Sequence, residues 1–150
     1  MYSKLFTSEI QELMSSIAND LTRFESRLSK PLKEGGWSPL QVIHHLADAS
    51  LVIYLRVRRI LTEDNPLLQS WDQDKWAEEE FYRDVDTSLH AKMLFLELNT
   101  RIIYLLRGTS EDDFERKATH SELGDIKLTD ILSLHTKHLK AHSNQLKLHK

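Results

Sequence analysis

Apolar residues recur at three- and four-residue intervals through four long stretches of this chain, a spacing that belongs to amphipathic helices. The first stretch runs from about Ser8 to Ser29. Ser8 and Gln11 read as a capping box, and Ile10, Leu13, Met14, Ile17, Leu21, Phe24 and Leu28 keep the helical period. The loop from Lys30 to Gly36 ends it. The second stretch has the clearest start, Gly36-Trp37-Ser38-Pro39-Leu40-Gln41. Ser38 caps, Pro39 suits a first turn where no N–H is needed, and Gln41 closes a second capping box. That helix is expected to reach Leu61. The third runs from Ser88 to Leu106, with Arg107-Gly108 at its end, and the fourth from about Thr129 almost to the C-terminus. A long Trp-, Asp- and Glu-rich connection covers Thr62 to Asp86. It is expected to hold a short helix at Asp74–Glu80 and to pack Trp71, Trp76, Phe81 and Tyr82 on the rest. Thr109 to Phe114 reads as one short helical turn.

The expected fold is therefore all-α, a four-helix bundle with one long crossover, forming a single domain over residues 1–150. Composition agrees, since 4 Gly and 3 Pro are too few for the turns of a sandwich or barrel. With 20 basic and 23 acidic residues the net charge is -3, and no basic stripe is present, so nucleic acid is not an expected partner. The chain has no Cys, which excludes disulfides, Cys-ligated zinc and a Cys nucleophile. No apolar run approaches the roughly 18 residues of a membrane span. The N-terminus lacks a signal-peptide core, so a soluble cytoplasmic protein is expected.

The eight histidines carry the functional signal. On the fourth helix, Leu128, Ile131, Leu132, Leu139 and Leu146 mark the apolar stripe, and His135, His138 and His142 fall on it. At about 100° per residue, His138 and His142 stack on one face. On the second helix, Val42, Ala49 and Ile53 mark the inward side with His45 among them, whereas His44 points about 100° away. His90, His120 and His149 read as surface or loop residues. A buried imidazole is costly unless its nitrogens find partners. One solution is ordinary hydrogen bonding within the core. The other is a divalent ion shared by His45, His138 and His142, which leaves a coordination position for water, as reactive sites do. Phase alone leaves both readings open.

The run Gly35-Gly36-Trp37-Ser38-Pro39-Leu40-Gln41-Val42-Ile43-His44-His45-Leu46-Ala47-Asp48 resembles the DinB/YfiT-like superfamily, most closely its YfiT branch. The similarity continues through Tyr54-Leu55-Arg56, Leu61 to Pro66, Leu105-Leu106-Arg107, Phe114-Glu115-Arg116, His120-Ser121-Glu122 and His138 to Gln145. It spans about residues 35 to 147, and the N-terminal helix fits by pattern alone. The resemblance implies a four-helix bundle holding one divalent metal ion, zinc or nickel, often as a homodimer. Its ligand positions fall on His45, His138 and His142. A second register places one ligand on His135 and the other on Leu139, which cannot coordinate.

The YfiT branch implies a metal-dependent hydrolase acting on a small-molecule substrate. Other relatives imply a bacillithiol-type thiol S-transferase or a mycothiol-using isomerase, and a non-enzymatic metal-stabilised stress-response protein is a third reading. Within the hydrolase reading His135, one turn before the ligand pair, is the candidate general base. Asp48, three residues after His45, is the candidate to orient that ring. Arg56, eleven residues after His45 and in phase with it, is the candidate to bind a substrate carboxylate, with a salt bridge inside the bundle as the alternative. The third helix carries Leu94, Phe95, Leu98, Ile102 and Leu105 off a Leu89, Met93, Leu96, Ile103 stripe. An apolar surface this wide needs a cover, either the Trp-rich connection or the partner of a homodimer.

Overall fold

The computed structural model describes residues 1–149. Its long helices are α1 (Tyr2–Thr22), α2 (Pro39–Thr62), α4 (Ser88–Arg107) and α5 (Leu128–Leu148), with the single-turn helix α3 (Gln73–Trp76) inside the crossover. α2 packs against α4 and α5, and α1 packs against the same two helices. The consecutive helices α1 and α2 therefore sit at opposite corners of a four-helix bundle. Phe6, Ile10, Met14, Ile17 and Leu21 from α1 meet Leu40, Leu46, Val57 and Ile60 from α2 in one buried cluster, completed by Phe95 and Ile102 of α4 and Ile131, Leu132, Leu139 and Leu146 of α5.

Local chemistry accounts for most boundaries. Ser38 Oγ accepts from the Gln41 amide at 3.2 Å while Gln41 Oε1 accepts from the Ser38 amide at 3.0 Å, the expected capping box with Pro39 behind it. The other expected box is absent. α1 begins at Tyr2, so Ser8 lies inside the helix, and Gln11 bonds instead to Ser15 at 3.3 Å. Phe6 extends the apolar stripe one turn upstream, and its burial outweighs the local capping signal at Ser8. At its other end α1 stops at Thr22 rather than Ser29, and a 3₁₀ turn over Glu25–Arg27 follows. Between residues 109 and 114 the expected turn is a 3₁₀ helix, Asp112–Glu115.

A small sheet was not expected. β1 (Leu67–Leu68) runs parallel to β2 (Lys117–His120), and β2 pairs antiparallel with β3 (Gly124–Lys127). Gly124, at φ +72°, turns the hairpin. The sheet ties the start of the crossover to the segment leading into α5. Arg116 strengthens the tie, donating from Nε to the Ile60 carbonyl at 2.7 Å and from Nη2 to that of Glu63 at 3.0 Å. Those carbonyls lie at the C-terminus of α2, where a cation is favoured. His120 is buried here rather than exposed, and its Nδ1 accepts from the Glu122 and Leu123 amides at 3.2 and 3.3 Å.

The wide apolar surface of α4 divides unevenly. Phe95, Leu98, Ile102, Ile103 and Leu106 are buried, whereas Leu89 and Met93, from the same stripe as Ile103, are 66% and 56% exposed. Helix α4 faces two neighbours, α1 and α2, so its buried side is wide and centred on Phe95 and Ile102. Among the described residues no helix is long and apolar enough to cross a membrane. The Ser38 cap supports a clear expectation. Replacing Ser38 with Ala should cost about 1 kcal/mol of stability. In thermal unfolding that corresponds to a Tm lower by roughly 2–4 °C for a chain of this size.

Candidate metal centre

His45 comes from the second turn of α2, and His138 and His142 come from successive turns of α5. Because α2 and α5 are neighbours, the three rings meet. Their centroids lie 4.6–5.0 Å apart, and one ligand nitrogen from each falls within 4.8 Å of the other two. His138 Nε2 is 2.8 Å from His45 Nε2 and 3.1 Å from His142 Nε2. A neutral imidazole nitrogen has either one proton or one lone pair, so His138 Nε2 satisfies only one of these two neighbours by hydrogen bonding. One cation facing three lone pairs satisfies all of them. Three nitrogens at 2.0–2.1 Å from a tetrahedral ion lie about 3.3 Å apart, close to the spacing present here. The donor set is all imidazole, which fits a divalent transition-metal ion.

The surroundings hold the rings neutral. Burial first, then the neighbouring rings, push His45 down to about 3, and burial and His142 push His138 down to about 4. Burial also lowers His142, against the opposing effect of Gln145. Gln145 Oε1 accepts from His142 Nδ1 at 2.7 Å, which places the proton on Nδ1 and leaves the Nε2 lone pair for the cluster. Sequence reasoning passed over Gln145, although its spacing of three from His142 on a helix was the available signal. Two tryptophans flank His45. Trp37 lies at 4.9 Å between centroids, and Trp71 stacks at 5.9 Å with 14° between planes.

The other candidates are placed differently. Asp48 does not orient His45, because its Oδ2 accepts from the Tyr82 hydroxyl of the crossover. His45 Nδ1 is left buried without a hydrogen-bond partner. Burial and the Asp48 bond raise the Tyr82 pKa, so the phenol stays the donor. His135 is fully buried and tied into the bundle. Asn99 Nδ2 donates to Ser50 Oγ at 2.9 Å and to the Phe95 carbonyl at 2.8 Å, leaving Asn99 Oδ1 to accept from His135 Nε2 at 2.8 Å. Burial, then His138, push the His135 pKa down to about 3, far below the value a general base needs near neutrality. Its free nitrogen, Nδ1, is buried and unpartnered.

His44 does not point to solvent. It is 3% exposed beneath the crossover, where Nε2 bonds to Thr87 Oγ1 at 2.7 Å and the ring stacks on Tyr82 at 5.0 Å. The crossover supplies a second buried face for α2, so adjacent histidines are both covered. Trp76 and Phe81 of that segment remain 40% and 46% exposed. Arg56 is half-buried and donates from Nη2 to the Gln69 carbonyl at 2.6 Å. A cavity of about 160 Å³ lies between α2, α5 and the crossover, and Arg56, Trp71, His135 and His138 are among its walls.

Comparison with known proteins agrees with this architecture. Residues 7–146 match the profile of the DinB superfamily. A protein of Oceanobacillus iheyensis named "putative metal-dependent hydrolase" is 33% identical over 144 residues, covering 93% of this chain and 82% of its own. The solved structure of Bacillus subtilis YfiT, described as a probable metal-dependent hydrolase with an unusual four-helix bundle topology, superposes with a TM-score of 0.88 at 27% identity, covering 97% of this chain and 83% of its own. A mycothiol-dependent maleylpyruvate isomerase shares the fold, with a TM-score of 0.77 at 15% identity over 96% of this chain and 60% of its own.

The depressed histidine pKa values have a measurable consequence. A ring whose folded pKa lies below 6.5 takes up a proton on unfolding, so stability falls as pH drops through 6.5 towards the folded value. His44, His45, His135 and His138, at about 3 to 4, all act in this direction. For protein stripped of metal by chelation, the denaturant midpoint should fall steadily from pH 6.5 to about pH 4. A midpoint that rises on acidification would contradict the buried neutral rings.

Proposed function

The chain belongs to the DinB superfamily, and on that premise we propose that it is a metal-dependent hydrolase of small molecules. The observation that carries the reading is the set of three Nε2 atoms from His45, His138 and His142, which share no mutually satisfying hydrogen bonding. Each of those residues is assigned one ligand to a single divalent ion, zinc or nickel. Such an ion, when bound, lowers the pKa of a coordinated water towards neutrality and polarises a substrate oxygen.

The chain's own residues supply the rest. Gln145 holds His142 in the tautomer that offers Nε2. Trp37 and Trp71 restrict the His45 ring and keep water from one side of it. The Ser50–Asn99–His135 chain fixes the separation of α2, α4 and α5 behind the ligands, so His135 is assigned a positioning role rather than that of base. The cavity bounded by His138, Trp71 and Arg56 receives the substrate. The isomerase that shares the fold makes metal-dependent thiol chemistry the alternative, with the activated group a low-molecular-weight thiol.

Elemental analysis of purified protein tests the ligand assignment. The wild type is expected to hold one zinc or nickel per chain, and His45→Ala and His142→Ala to lose most of it, since each removes one of only three protein ligands. His44→Ala should retain metal while losing stability. Equal metal loss from His44→Ala would place the site on the wrong face of α2. Metal-loaded protein should then cleave members of an ester and amide panel. Consumption of thiol with an electrophile, without hydrolysis, would favour the transferase reading.

A homodimer belongs to the same proposal. Leu89, Met93 and Tyr104 are 66%, 56% and 63% exposed along the outer side of α4, a stripe that a second copy would cover. Sedimentation at micromolar concentration is expected to give twice 17.6 kDa. A species at 17.6 kDa alone would reject it.

A further inference from the structure

Three arginines are half-buried, Arg56, Arg59 and Arg116, and the exposed ones include several with no acidic partner. Arg59 pairs with Glu63 at 2.8 Å and Arg116 with Asp113 at 3.8 Å. Arg56 forms no salt bridge within 4.0 Å among the described residues, and its one hydrogen bond is from Nη2 to the Gln69 carbonyl. A guanidinium has five N–H donors in a rigid fork, so most of its capacity is unspent. It is also half-buried, which leaves the charge less hydrated than on the surface. The Glu122 carboxylate acts on it without forming an ion pair, and burial outweighs that effect.

The position of this unspent charge matters more than its existence. Arg56 borders the cavity that also borders His138, and no acidic residue is among its walls. Ala49, Val52, Ile53, Leu134 and Trp71 make the rest of the wall largely apolar. At about 160 Å³ the space is well below the roughly 300–1,000 Å³ of pockets that enclose drug-sized ligands. It suits one end of a small molecule. We propose that Arg56 is the specificity residue of this site, and that the substrate is a small carboxylate with a short apolar body lying against Trp71 and Val52. The carboxylate would take the bidentate fork of the guanidinium, which the Gln69 carbonyl aims through Nη2. The proposal rests on the hydrolase reading for the reacting end of the substrate, but not for the anion subsite itself.

Butyrate and butyramide, equal in shape and different in charge, are the probes. Binding is followed by titration calorimetry and by the fluorescence of the tryptophans, in metal-loaded and in chelated full-length protein. Butyrate is expected to bind both forms and butyramide to bind roughly tenfold more weakly or worse, the difference a charged hydrogen-bond partner makes. Arg56→Gln should abolish the preference for butyrate, and Arg56→Lys should retain part of it, with metal content unchanged in both. Should Arg56→Gln fold poorly, the butyrate-to-butyramide ratio on wild type and the Lys variant decide the matter. Equal binding of the two probes, or a preference that survives Arg56→Gln, overturns the proposal. Butyrate binding that vanishes on chelation also overturns it, because the anion would then sit on the metal. Absence of metal in the purified protein would instead defeat the ligand assignment and leave the anion subsite standing.

Discussion

Burying imidazoles between α2 and α5 is the constraint on which this structure turns. His45 and His135 are each 1% exposed, and neither has room to meet its needs with water. The fold answers in two ways, side by side. His135 is tied down at Nε2 by hydrogen bonding, through Asn99 of α4 to Ser50 of α2 and on to the Leu46 carbonyl at 2.7 Å. The other three rings are brought together so that their nitrogens compete rather than pair. A site built this way is a poor hydrogen-bond network and a good ligand set. The same chain of contacts that holds His135 Nε2 fixes the helix spacing behind it, so the two solutions are mechanically linked.

The crossover and the small sheet serve that constraint from outside the bundle. Pairing of β1 with β2 fixes where the crossover leaves α2, and Arg116 holds the end of α2 to the same junction. From there the segment returns along α2. It covers His44 with Thr87 and Tyr82, binds Asp48 through the Tyr82 hydroxyl, and lays Trp71 on the His45 ring. Gln69, in the same segment, takes the one hydrogen bond of Arg56. A stretch that looks like a linker thus builds one side of the cavity. Site-bearing loops on a rigid helical frame are a common way for one fold to host different chemistries.

Much of this was legible in the sequence. The 3.6-residue period named four helices, Ser38-Pro39-Leu40-Gln41 marked the start of α2, the apolar stripes turned His45, His135, His138 and His142 inward, and the DinB/YfiT resemblance narrowed these to the three rings that meet. These features are local or periodic, because a helix repeats its faces along its own axis and needs no partner to define them. Tertiary structure decided the rest. The two-residue β1 has no period to read, and its pairing with β2 joins segments about fifty residues apart. Phase arguments assume one buried face per helix, and they failed on α2, which has two. α2 buries His44 under the crossover as well as His45 in the bundle, and α4, between α1 and α2, centres its buried side on Phe95 and Ile102. Asp48 had the helical spacing to face His45, but its carboxylate bonds to Tyr82, which only the folded crossover brings there. Which residues face inward is written in the chain; which of several inward residues become partners depends on the distances that packing sets.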